Sequence, residues 1–172
     1  MPPVVTTDRV ILRAHTMEDF PAYAAMWADP VVCKHFPATL SEEESWAKFL
    51  RLFGQWELFG FGNWSVHDRI TGERLGETGF FEARRDIVPS LIGIPEAGWS
   101  FAAAAHGKGY AAEAVAAAHR WADDHFNKAR LCCIIVPANT PSIRVADKMG
   151  YKEVAQTIYK TEPITVYHRD PG

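Results

Sequence analysis

His106-Gly107-Lys108-Gly109-Tyr110-Ala111-Ala112-Glu113-Ala114 is a glycine loop with a strand before it and a helix after it. The segment running in is Ala97-Gly98-Trp99-Ser100-Phe101. The helix running out is marked by Ala111, Ala114, Val115, Ala118, Trp121 and Ala122, which recur at helical spacing. Such a join points several backbone N–H groups one way, at the positive end of the helix dipole. Glycine lets a ligand approach the backbone with no Cβ between them. Lys108 adds a cation at the mouth. The physical expectation is an anion site, above all for phosphates.

Three phosphate-binding patterns compete for the loop. A Walker loop needs Gly-Lys followed by Ser or Thr, but Lys108 is followed by Gly109, so no hydroxyl is in place for magnesium. The dinucleotide fingerprint is formally matched by Gly107, Gly109 and Ala112. It should open a βαβ unit with an acid after the next strand to hold ribose. That strand, Leu131 to Val136, runs into Pro137-Ala138-Asn139 with no acid, and no nicotinamide cofactor is expected. The third is the acetyl-coenzyme A loop (Gln/Arg)-x-x-Gly-x-(Gly/Ala), which falls on His106 to Ala111 with histidine in the leading position. Taken alone, the loop also reads as a glycine-rich turn ahead of a core helix.

Composition narrows the classes. At 172 residues, with 48% hydrophobic content, the chain has the size of one ordinary domain with a real core. A net charge of −3 carries no nucleic-acid footprint. Cys33, Cys132 and Cys133 are odd in number and two are adjacent, which is not a disulfide framework, and no Cys/His spacing suggests a metal site. The start, Met1-Pro2-Pro3-Val4-Val5, lacks signal-peptide character, and no apolar run is long enough for a bilayer. A cytoplasmic protein without membrane or nucleic-acid partners is expected. A homodimer is left open.

The elements read as follows. Arg9 to Arg13 is a strand. Thr16 caps a helix that runs to about Trp27 and stops before Asp29-Pro30. Cys33 to Pro37 is a loop, and its His35 is either a substrate-facing group or an ordinary loop residue. Ser41 and Glu44 form a capping box for a helix whose Trp46, Phe49, Leu50 and Phe53 make a core stripe. Asn63 to Asp68 and Arg74 to Phe81 form a hairpin, and Glu82 to Pro95 is a loop over the sheet. Leu131 to Val136 is a strand buried on both faces. Thr140 caps a short helix starting at Pro141 and ending at a left-handed Gly150. Tyr151 to Tyr159 and Pro163 to Arg169 close the sheet.

Several of these motifs recur together: Glu96 to Phe101, Gly-Lys-Gly-Tyr-Ala-x-Glu-Ala, Val136-Pro137-Ala138-Asn139-Thr140-Pro141-Ser142, and Lys148-Met149-Gly150-Tyr151. With Thr7-Asp8-Arg9-Val10-Ile11-Leu12-Arg13 at the start, their order resembles the GNAT N-acetyltransferase superfamily over nearly the whole chain. The branch it resembles is that of the ribosomal-protein N-terminal acetyltransferases (RimJ/RimL-like). The resemblance implies a single α/β (α+β) domain over residues 1–172. Its central sheet would be mixed, mostly antiparallel, flanked by helices, and splayed at the cofactor loop. It implies acetyl transfer from acetyl-coenzyme A to a primary amine, on a small molecule or a peptide, in a ternary complex without metal. It is specific for cofactor and a poor guide to the acceptor. An acetyl-coenzyme A-binding module with weak or lost catalysis is the alternative.

The resemblance also assigns residues. His106, Gly107, Lys108, Gly109, Tyr110 and Ala111 would hold the pyrophosphate, and Phe101 and Ala103 would pair with the pantetheine arm. A backbone N–H at about Phe101 to Ala102 would face the thioester carbonyl. Asn139 and Ser142 would lie near the coenzyme A sulfur, with Ser142 donating to the leaving thiolate; plain helix capping is the alternative for both. Lys148 would reach coenzyme A phosphate or complement its helix C-terminus. A chain-terminal amine, with a pKa of about 8, is roughly a tenth neutral at pH 7 and needs little more than a water-linked carboxylate. Glu96 is the first choice for that carboxylate, with Glu82 and Glu77 as alternatives. Two departures stand out: His106 replaces Gln/Arg, and Ala146 stands where many members carry an acidic tyrosine.

Overall fold

Chain order and hydrogen bonding together build one sheet around the glycine loop, in a computed structural model that describes residues 1–170. The strands are β1 (Val5–Thr6), β2 (Val10–Arg13), β3 (Asn63–Asp68), β4 (Arg74–Phe81), β5 (Glu96–Phe101), β6 (Leu131–Ile135), β7 (Lys152–Tyr159) and β8 (Glu162–Arg169). The helices are α1 (Phe20–Ala28), α2 (Glu42–Phe59), α3 (Tyr110–His125) and α4 (Thr140–Lys148). The sheet order is β1-β2-β3-β4-β5-β6-β8-β7. Every neighbouring pair is antiparallel except β5 with β6, the pair that α3 connects. A parallel pair needs such a crossover.

β5 and β6 are in register at Glu96 and Cys132 and then part. β6 turns wholly to β8, from Leu131 opposite Arg169 to Ile135 opposite Thr165. β5 stays with β4, from Glu96 opposite Phe81 to Phe101 opposite Gly76. The far ends of β5 and β6 are thus drawn apart, and the sheet opens beside the glycine loop.

Three apolar clusters hold this frame. In the largest, Val10, Leu12, Trp64, Val66 and Phe80 meet the alanine face of α3, at Ala114, Ala117, Ala118 and Ala122. The small side chains let the helix lie close to the sheet, which fixes where its N-terminus sits. A second cluster packs α1 on α2 through Tyr23, Met26, Trp27, Phe49 and Leu52. In the third, Ile87 and Leu91 bring the loop after β4 onto Cys132, Ile164 and Val166. All three cysteines are free and buried.

Four expectations need correction. The stripe on α2 is rotated: Ser45, Phe49 and Leu52 are buried, whereas Trp46, Leu50 and Phe53 are exposed, because α1 covers only one side of the helix. Thr16 introduces a 3-10 turn (Met17–Asp19), and α1 begins after it at Phe20. The loop after α1 contains a 3-10 turn, Val32–His35. The cap of α4 is Asn139, whose side chain accepts from the Ser142 N–H, so Thr140 is already helical. The expected left-handed glycine after α4 is present, with φ 86° at Gly150.

Candidate active site

Gly107 and Gly109 adopt φ of 71° and 80°, a left-handed backbone that glycine takes without steric cost, and Gly109 is the N-cap of α3. The first internal bond of the helix runs from Glu113 N–H to Gly109 O at 3.1 Å. Among the described residues the N–H groups from Gly107 through Ala112 find no acceptor. A row of unpaired donors at a helix N-terminus is a built anion site.

A clamp below the loop aims it. Arg9 Nη1 donates to Lys108 O at 2.9 Å and Arg9 Nε to Glu113 Oε2 at 2.6 Å. Glu113 Oε1 also accepts from the Thr7 hydroxyl at 2.6 Å and the Arg9 N–H at 3.0 Å. In a trans peptide C=O and N–H point opposite ways, so tying down Lys108 O turns the Gly109 N–H outward. The Lys108 side chain is exposed, and the Tyr110 hydroxyl turns away to Asp68 Oδ2 at 2.9 Å. Ala111 follows in the first turn of α3. His106 folds back: its Nε2 lies 2.8 Å from Phe101 O, and since a carbonyl only accepts, the ring nitrogen donates. The histidine therefore organises the strand end, unlike a Gln or Arg reaching for phosphate.

The strand leading to the loop has a free edge. Ala102 N–H is bonded to Leu75 O at 2.9 Å. Antiparallel alternation then turns the N–H and C=O of Trp99 and the N–H of Phe101 away from β4, into the gap opposite β6, while Phe101 O is held by His106. Of the two amides expected near the thioester, Ala102 is thus engaged, and Phe101 faces the opening. Ala103 starts a 3-10 turn (Ala103–Ala105) that carries the chain to the loop.

Ser142 enters the same gap from the start of α4. Trp99 Nε1 donates to Ser142 Oγ at 3.2 Å, and Ser142 N–H donates to Asn139 Oδ1 at 3.3 Å. The indole can only donate, so the serine keeps its own proton for another acceptor. Lys148, six residues on, is about 9 Å further along the helix axis and exposed, away from this group. Ala146 is buried in the main core, where a tyrosine ring would not fit.

A cavity of about 780 Å³ continues from Trp99, Asn139 and Ser142, through the parting of β5 and β6, to Glu77, Lys48 and Trp27. His35 is on its wall. Glu96 lines it too, but Arg85 engages both carboxylate oxygens, at 2.7 to 3.0 Å. Glu82 Oε1 accepts from Gly93 N–H at 3.4 Å. Glu77 is different. It is 3% exposed, and its Oε2 has no hydrogen-bond partner. Arg74 Nη2 stands 3.9 Å from it. Burial pushes the Glu77 carboxyl above the ordinary range, and Lys48 and Arg74 pull part of that back. Sequence reasoning did not single out Trp27, Lys48 or Arg85 as site residues, and read Trp99, with Trp46, Trp56 and Trp64, either as lining an aromatic acceptor pocket or as core.

Residues 9–152 match the acetyltransferase (GNAT) domain family, and the chain belongs to it. It is an acyltransferase, of a family that uses acetyl-coenzyme A. The uncharacterized protein YkkB of Bacillus subtilis is 31% identical over 177 residues, covering 96% of this chain and 94% of that one. A crystal structure of an acetyltransferase from Agrobacterium tumefaciens is 28% identical, with a TM-score of 0.85 over 98% of this chain and 95% of that one. RimL, a ribosomal L7/L12 alpha-N-protein acetyltransferase seen with coenzyme A, shares the fold at 13% identity, with a TM-score of 0.75 over 98% of each chain. No helix among the described residues is long and apolar enough to cross a membrane.

Proposed function

We propose that this chain transfers an acetyl group from acetyl-coenzyme A to a primary amine by direct attack within a ternary complex. The observation that carries the reading is the row of unpaired N–H groups from Gly107 through Ala112, at the end of a strand whose Trp99 amide and Phe101 N–H face the gap beside β6. That row fits a pyrophosphate, and the edge of Trp99 and Phe101 fits the amides of a pantetheine arm. When bound, the coenzyme supplies the activated acetyl group. Phe101 N–H is the donor for charge that develops on the carbonyl oxygen. Ser142, with Trp99 filling one lone pair, donates a hydrogen bond to the departing thiolate sulfur and keeps its proton. Asn139 holds Ser142 in place from the helix cap.

The proton of the acceptor goes to Glu77. Its carboxylate lies in the cavity, its Oε2 makes no hydrogen bond, with Arg74 Nη2 at 3.9 Å and His15 Nε2 at 4.0 Å, and burial raises its affinity for a proton. Glu96 fits the role less well, because Arg85 occupies both its oxygens. Its ion pair instead ties the loop after β4 to the strand that feeds the site.

The test is a thermal-shift titration with coenzyme A, acetyl-coenzyme A and NAD, followed by thiol release with a panel of amines. Saturation at a hundred times Kd adds about 2.7 kcal/mol, or about 5–11 °C for a chain this size. A shift with the coenzyme A species alone, and thiol release with an amine, is expected. No shift overturns the loop assignment. A shift without turnover on any amine marks a binding module.

A further inference from the structure

We propose that the acceptor is an amino carboxylate, a small zwitterion whose ammonium meets Glu77 and whose carboxylate is received by Lys48 and Arg51. This rests on the acetyl-transfer reading above and adds the substrate class. Fixed charges of both signs surround the acceptor end of the cavity. Glu77 presents a buried oxygen with no hydrogen-bond partner. Lys48 and Arg51 stand on one face of α2, at i and i+3, and both line the cavity. Neither forms an ion pair among the described residues. Of the other cations on the wall, Arg85 is already taken by Glu96, and Lys160 lies over the Tyr159 ring.

The position of Lys48 adds to this. Its ammonium is held over the Trp27 ring, 4.3 Å from the centroid. Burial lowers the Lys48 pKa, the mark of a cation short of water. An ammonium and a guanidinium one turn apart on one helix call for an anion with more than one acceptor oxygen. A carboxylate is the anion that also accompanies an amine on a small acceptor. A diamine would push a second cation against Lys48 and Arg51. A neutral amine would satisfy Glu77 and leave Arg51 without a counter-ion. Phe36, Phe81 and Tyr159 complete the lining and suit an apolar or aromatic body between the two charges.

The test compares matched acceptors on the intact protein with acetyl-coenzyme A, following thiol release. Each set holds an amino acid, its carboxamide and its decarboxylated amine, at equal concentrations of neutral amine. The amino acid is expected to win in kcat/KM by about ten- to a hundredfold, the value of a charge-assisted hydrogen bond. Lys48→Met and, independently, Arg51→Met are expected to shrink that ratio, chiefly through KM for the amino acid. Equal or better use of the amide or the decarboxylated amine by the wild type overturns the inference and leaves acetyl transfer standing. Absence of thiol release with every amine overturns both.

Discussion

At the scale of the residue, the site is a set of unshared polar atoms. Glu77→Gln keeps shape and removes the proton acceptor. We expect kcat to fall by about a hundredfold, the lower end for a positioned base, with KM for acetyl-coenzyme A unchanged. Rates corrected to neutral amine should lose, in this variant, an acid limb lying above the ordinary glutamate range, since burial raises the Glu77 pKa. An unchanged profile would remove Glu77 from the reaction. Ser142→Ala should lower kcat by about tenfold, because a thiolate leaves more readily than an alkoxide and needs less help. Trp99→Phe should act in the same direction, and the double variant should cost less than the sum of the two. Additive effects would mean that the indole–hydroxyl bond plays no part in orienting the serine.

At the scale of the element, the loop works because two distant segments hold it. Arg9 and Thr7, from the first strand region, meet Glu113 in the first turn of α3, and Arg9 reaches on to Lys108 O. Glu113→Gln loosens the clamp without touching the donors themselves. We expect KM for acetyl-coenzyme A to rise by about tenfold, the worth of about 1.4 kcal/mol, with kcat retained. Gly109→Val should abolish binding in a folded protein. The position has φ of 80°, and an added Cβ would stand 3.2 Å from Arg9 Nη2. Normal coenzyme A binding by this variant would show that the loop does not hold the pyrophosphate.

At the scale of the molecule, buried titratable groups set the response to acid. Burial lowers His15 to about 3 and His119 to about 4, each from 6.5. Arg74 adds to the effect at His15 while Asp19 opposes it; at His119 the Val115 carbonyl opposes it. A lowered folded-state pKa means that the unfolded chain binds more protons in that window, so stability is complete above 6.5 and falls as pH drops. Asp19 extends the loss to lower pH. Burial raises it, but hydrogen bonds from His67 and Arg13 outweigh this and hold it well below the carboxylate range. Glu77, shifted upward, works the other way and offsets part of the loss. The melting temperature should therefore decline steadily from about pH 6.5 toward pH 4. A flat profile would mean that the two histidines are protonated in the fold.

Local signals were enough for much of this protein. The Ser41 capping box, the hairpin of β3 and β4, the left-handed glycines and the strand–loop–helix join at His106 to Ala111 are all set by neighbours within a few residues. For that reason the cofactor loop was legible as a string. The residues at the acceptor end were not. Whether the Glu96 carboxylate is open or held depends on Arg85, in a loop without periodicity. The worth of Glu77 depends on burial under two helices. The face of α2 that carries Lys48 and Arg51 depends on how α1 covers it, which also turned Trp46, Leu50 and Phe53 to solvent. The sequence determined which segments would be strand, helix and anion loop, because those preferences are local. Only the tertiary structure decided which charges are left unpaired in the cavity, because pairing and desolvation are properties of side chains that meet from far along the chain.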